Sequence, residues 1–115
     1  MAKRILSISY DSSLLWTRQL MLRQLGYEVV SALGFAAAWE ACEAPDAHFD
    51  LVVLGHTVPT KDKEQMIAHL RQHGNCLILA VIRPHEGALQ SADRSVVSDA
   101  DDLVAAVREM LGETT

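Results

Sequence analysis

The side chains able to do chemistry in this chain are few and scattered. His69 and His73 stand four apart in a helical pattern. That spacing suits two metal ligands on one helix face, but no third ligand is evident. Cys42 and Cys76 are isolated, without the close pairing of a zinc site, and read as reduced thiols in a cytoplasm. Gly26 and Gly34 form no phosphate-cradling pattern, so nucleotide binding lacks its motif. Asp11 and Asp62 read as ordinary helix-start and loop acids, and a single carboxylate binds Mg²⁺ poorly. His56 directly follows Gly55, with no metal ligand or cation evident beside it. No catalytic constellation assembles. The chain reads as a non-enzyme without a metal or a cofactor.

The elements that must position these groups are organised around Phe49-Asp50-Leu51-Val52-Val53-Leu54-Gly55-His56-Thr57-Val58-Pro59. Leu51 to Leu54 is an unbroken apolar run with two β-branched residues, bounded by polar and turn residues. Such a run suits a strand buried on both faces, in the middle of a parallel sheet. Open α/β sheets place their chemistry at the carboxyl end of a central strand. Here that place holds a glycine.

The 115 residues allow one domain, 1–115, with one sizeable core. A net charge of −5 without a Lys/Arg cluster argues against a nucleic-acid surface. The apolar runs are too short to span a bilayer, and no secretory h-region opens the chain, so a cytoplasmic location is expected.

Taken in order, the chain alternates strand and helix. Lys3 to Ser9 is a short apolar strand, and Asp11, Ser12 and Ser13 are N-cap candidates for a helix over Leu14 to Leu25. That helix carries Leu14, Arg18, Met21 and Leu25 at helical spacing and ends at Gly26. Tyr27 to Ala32 is the second strand, and Phe35 to Ala44 a helix stopped by Pro45. Phe35, Ala38, Trp39 and Cys42 share one face of it, with Trp39 expected in the core. After the central strand comes a helix over Lys61 to His73, facing inward through Met66, Ile67 and Leu70. Cys76 to Ile82 is the fourth strand, Arg83 to Asp93 leaves room for only a short helix, and Ser95 to Val97 is the fifth strand. Ser98 or Asp99 caps the last helix, where Asp101 and Asp102 complement the dipole. The pattern predicts an α/β, flavodoxin-like (βα)5 three-layer sandwich whose parallel strands run in the order 2-1-3-4-5.

Three segments carry a resemblance. Arg4-Ile5-Leu6-Ser7-Ile8-Ser9-Tyr10-Asp11, Leu25-Gly26-Tyr27-Glu28-Val29-Val30, and Phe49 to Leu54 with Pro59 together resemble the receiver domain of two-component response regulators. The resemblance covers essentially the whole chain and implies a phosphoaspartate switch. Each working position differs. The two Mg²⁺-binding acids after the first strand fall at Ser9 and Tyr10, and the phosphoacceptor aspartate falls at Gly55. The hydroxyl that ends the fourth strand falls at Val81, the switching aromatic at Ser95, and the lysine after the fifth strand at Ser98. No lysine follows Lys63. Phosphoryl transfer to a carboxylate needs a nucleophile, a hard cation and positive charge on the equatorial oxygens. The resemblance therefore implies a receiver-like domain that is not a phosphorylation switch.

The expected function is a phosphorylation-independent interaction module in a two-component phosphorelay pathway, with a protein partner or a second copy of the chain. Leu15, Trp16 and Leu20 on the first helix are the candidate partner surface, although Trp16 lying flat over a neighbouring helix is the plainer arrangement. The alternative function is a small-molecule-binding domain using the pocket vacated at the strand ends, which Gly55 and Ser9 would enlarge.

Overall fold

In the computed structural model, which describes residues 2–44, 48–74 and 76–112, five parallel strands form one sheet in the order β2-β1-β3-β4-β5. The strands are β1 (Arg4–Ser9), β2 (Glu28–Leu33), β3 (Leu51–Leu54), β4 (Leu77–Ile82) and β5 (Arg94–Val97). The helices are α1 (Ser12–Gln24), α2 (Gly34–Glu43), α3 (Thr60–His73) and α4 (Ala100–Met110). The predicted strand order holds, and each boundary lies within a few residues of its expected place.

The sheet is buried on both faces because its strands are apolar throughout. Leu51 to Leu54 is fully buried, as a central strand must be. Alternate residues serve opposite layers. Leu6, Ile8, Val52, Leu54 and Ile78 join Met66, Ile67 and Leu70 of α3 and Ala38 of α2 in one cluster. Ile5, Val29, Leu51, Val53, Leu79 and Val81 meet Leu22 of α1 and Leu103, Ala106 and Val107 of α4 in the other. Asp50 fixes the register at the amino end of β3. Its amide donates to the Arg4 carbonyl at 2.8 Å, and its Oδ2 accepts from the Arg4 amide at 2.8 Å.

Caps set the helix ends. Asp11 Oδ1 accepts from the Leu14 amide at 3.1 Å, and Asp99 Oδ1 accepts from the Asp101 and Asp102 amides at 2.9 and 3.2 Å. Gly26 closes α1 at φ 96°, a conformation that glycine adopts without a Cβ clash.

Three local expectations need correction. Residues 83–93 contain no helix, so the sheet is crossed by four helices among the described residues rather than five. Pro84 and Gly87 interrupt the segment, and turns take over. The Glu86 amide donates to the Arg83 carbonyl at 2.9 Å and the Ala92 amide to the Leu89 carbonyl at 3.1 Å. Secondly, α1 turns Leu15, Arg18, Gln19 and Leu22 inward and leaves Leu14 and Met21 half-buried, a rotation of the expected stripe. Thirdly, Trp39 is only half-buried. It stacks on Phe35 at 5.5 Å between ring centroids and lies 4.6 Å from the His69 ring, bridging α2 to α3 outside the deepest core.

Candidate functional site

The carboxyl ends of β1, β3 and β4 bring the resemblance-derived positions together, and two basic side chains join them. Ser9 ends β1 fully buried. Its Oγ accepts from the Asp11 amide at 3.0 Å and donates to the Asp11 carbonyl at 3.1 Å. The same Oγ lies 3.1 Å from Thr57 Oγ1, which accepts from the Tyr10 amide at 2.8 Å. The Tyr10 hydroxyl donates to Asp62 Oδ2 at 2.7 Å. Burial, then Asp62, pushes the phenol pKa well above its ordinary value, so Tyr10 stays protonated and holds this bond. These hydroxyls stitch the loop after β1 to the loop after β3.

The resemblance implies Mg²⁺, and the donor set does not fit it. Ser9 and Tyr10 are neutral, Asp11 caps α1, and the Asp62 carboxylate already accepts from a phenol. Among the described residues no cluster of three or more His, Cys, Asp or Glu could hold a metal ion. A hard divalent cation needs several anionic or carbonyl oxygens to replace its water.

Gly55 directly follows β3 and lies against the end of β1. Its amide donates to the Ile8 carbonyl at 2.9 Å. A Cβ built at Gly55 would fall 2.9 Å from that same carbonyl oxygen and 2.8 Å from Arg18 Nη1. Both distances are shorter than carbon tolerates. Glycine is required here for close approach, and the space above it belongs to an arginine.

Arg18 is only 7% exposed. Its Nη2 lies 3.2 Å from His56 Nδ1, and its Nη1 has no partner among the described residues. A guanidinium only donates, so His56 accepts through Nδ1 and carries its proton on Nε2. Burial first, then Arg18, Arg83 and Lys63, lowers the His56 pKa, which favours the neutral ring this bond requires. Lys63 on α3 is 2% exposed and donates from Nζ to the Val81 carbonyl at 2.8 Å. Burial lowers its pKa too.

The expectation that no cation lies beside His56 is therefore wrong, and the space directly above Gly55 is not open. Arg18 occupies that room, and Lys63 reaches the carboxyl end of β4 from the next helix. A signal existed in the chain: Arg18 stands four before Leu22, and Lys63 stands three and seven before Met66 and Leu70, all on inward stripes. A basic residue on such a stripe must find a buried partner.

The remaining positions are more ordinary. Val81 is buried core, Ser98 is exposed, and Ser95 Oγ accepts from the Leu89 amide at 2.9 Å. On α1, Trp16 is 61% exposed and Leu20 47%, whereas Leu15 is 8% exposed and leaves the proposed partner surface. The helix turns Leu15 inward and its next residue outward. Cys42 and Cys76 are free and border a concavity of about 560 Å³ at the opposite, amino end of the sheet. Burial pushes the Cys42 thiol up to about 11, so it is a poor nucleophile. His69 packs on Trp39, and the side chain of His73 lies outside the described residues. No helix is long and apolar enough to cross a membrane among the described residues.

This arrangement belongs to the doubly wound α/β folds with a 2-1-3-4-5 sheet, and receiver domains are among the known structures that it resembles. The CheY-like response regulator receiver domain protein of Methanospirillum hungatei superposes with a TM-score of 0.77 at 21% identity, over 98% of this chain and 96% of that one. Response regulator TrrA of Thermotoga maritima, in complex with Mg²⁺ and BeF, gives 0.78 at 23% identity over 94% and 98%. The complex of histidine kinase ThkA with TrrA gives 0.77 at 22% identity over 95% and 98%. At these identities the likeness is one of fold. No protein-family model matches the chain, and no curated protein matches it significantly.

Proposed function

We propose that this chain is a receiver-like domain without phosphorylation chemistry, working as a protein-interaction module in a two-component signalling pathway. One observation carries the reading. Where a phosphoacceptor side chain would begin, Gly55 has no room for a Cβ, and the Arg18 guanidinium lies across the space. Attack on a phosphoryl group needs an oxygen there, and the neighbouring Ser9 and Tyr10 supply no charge to hold Mg²⁺ beside it. The ThkA–TrrA complex is a precedent on this fold for docking to another protein. The exposed Trp16 and Leu20 on α1 offer this chain an apolar surface for such docking. Directly above Gly55 the space for a small molecule is taken by Arg18, and the room that remains is a cavity beside Arg18 bordered by Val81 and Ser98.

The test is intact-protein mass spectrometry after incubation with acetyl phosphate and millimolar Mg²⁺. The unmodified sequence should gain no phosphoryl adduct that is labile to acid, base and hydroxylamine, as an acyl phosphate is. Gly55→Asp should also stay unreactive, because the groups of such a site act as a unit. That variant should further lose about 1–3 kcal/mol of stability, since the Ile8 carbonyl cannot move aside as a side chain would. An adduct on the unmodified chain overturns the proposal.

A further inference from the structure

A cavity of about 150 Å³ lies beside Arg18, between α1 and the start of α4. Its wall has two characters. Leu14 and Met21 of α1, Val81 of β4 and Leu103 of α4 supply apolar surface, while Arg18 and His56 supply one cation and one imidazole and Thr17 and Ser98 border it as hydroxyl residues. The guanidinium is buried with Nη1 unpartnered, and its one polar side-chain contact, to His56, is with an uncharged ring. Asp11 acts on it electrostatically, yet the ion pairs among the described residues are Arg4–Glu28, Arg71–Asp93 and Arg94–Glu109. Asp99 also borders the cavity, but its Oδ1 is committed to the amides that open α4. A buried cation without a contacting anion is costly, and an anion that reaches it from an apolar chamber gains a poorly screened interaction.

We propose that this cavity binds a small aliphatic monocarboxylate, its carboxylate on the Arg18 guanidinium and its tail against Leu14, Met21 and Leu103. The volume is below the roughly 300–1,000 Å³ of drug-sized sites, which restricts the ligand to a handful of heavy atoms. One cation on the wall matches one negative charge, and an inorganic phosphate dianion would bring a second charge with no cation lining the cavity to meet it. The apolar half of the wall favours a short alkyl tail over a polar one. This site goes beyond the interaction-module reading and rests on the cavity and Arg18 alone, so either can fail without the other.

The test is an NMR titration of ¹⁵N-labelled protein with sodium propionate at constant ionic strength, with propionamide and inorganic phosphate as comparators. Propionate should give saturable shifts at Leu14, Met21, His56 and Leu103, with a dissociation constant on the order of millimolar. It should also raise the His56 pKa, because the anion offsets the positive charge of Arg18 that now depresses it. Propionamide, equal in size but uncharged, should not bind, and Arg18→Met should abolish the propionate shifts. If Arg18→Met fails to fold, the propionamide comparison decides the matter by itself. Absence of saturable shifts, shifts confined to residues away from the cavity, or equal binding of propionamide or phosphate overturns the proposal.

Discussion

At the scale of the residue, His56 is held neutral by the company it keeps. Burial and the cations Arg18, Arg83 and Lys63 lower its pKa, with only Glu86 acting in the opposite direction. The folded chain thus binds a proton at His56 less readily than the unfolded chain, whose histidine titrates near about pH 6.5. Stability from this group is complete above that pH and falls as the pH drops through it toward the lower folded value, because the unfolded state takes up the proton first. The Arg18–His56 bond persists through that window and is lost only below the lowered folded pKa, where a doubly protonated ring cannot accept. Urea unfolding midpoints should therefore decline between pH 7.5 and 5.5, and His56→Gln should decline less over that range. Equal slopes for the two proteins would show that His56 does not carry the effect.

At the scale of the element, the connection from β4 to β5 behaves as a pinned strap. Arg71 of α3 pairs with Asp93 at 3.1 Å and donates to the Ser91 carbonyl at 3.2 Å. Asp93 Oδ2 in turn accepts from the Ile78 amide at 2.7 Å, and Leu89 and Ala92 pack onto the core. No ligand-dependent pair bridges Val81 and Ser95 to bias a second arrangement. Relaxation-dispersion NMR should accordingly find one dominant conformation across residues 83–98, and a substantial minor state there would contradict this. The elements themselves were legible because their signals are local. The Leu51–Leu54 run, the caps at Asp11 and Asp99 and the stop at Gly26 each act within a few residues. What was hidden depends on distant partners. Arg18 meets His56 across 38 residues and Lys63 meets the Val81 carbonyl across 18, so their roles follow from how α1 and α3 lie over the strand ends. The rotation of α1 that buries Leu15 in place of Leu14 is a matter of tertiary packing and has no local cue.

At the scale of the whole molecule, the sheet is covered on both faces, and the exposed large apolar side chains among the described residues are Trp16, Leu20, Leu33, Phe35 and Val97. Trp16 and Leu20 are four apart on one helix, so they form a patch rather than isolated exposures. If the chain meets a partner or a second copy through α1, Trp16→Ala should weaken that association by more than about 1 kcal/mol. Its unfolding midpoint should barely change, since most of the indole is already in water. Sedimentation or calorimetry on both proteins checks the first, and urea unfolding the second. A partner-binding affinity untouched by Trp16→Ala would move the interface elsewhere.

The contact of Gly55 with the Ile8 carbonyl and Arg18 also bears on which neighbouring sequences this fold can reach. Any side chain introduced at position 55 by a single change must first displace a buried cation and a strand carbonyl. Shortening Arg18 alone removes the buried donor that His56 accepts from and opens a hole beside it. Replacing Arg18 together with Gly55 clears the guanidinium but leaves the Ile8 carbonyl 2.9 Å from the new Cβ. A population exploring substitutions one at a time would find the glycine easy to keep and hard to leave.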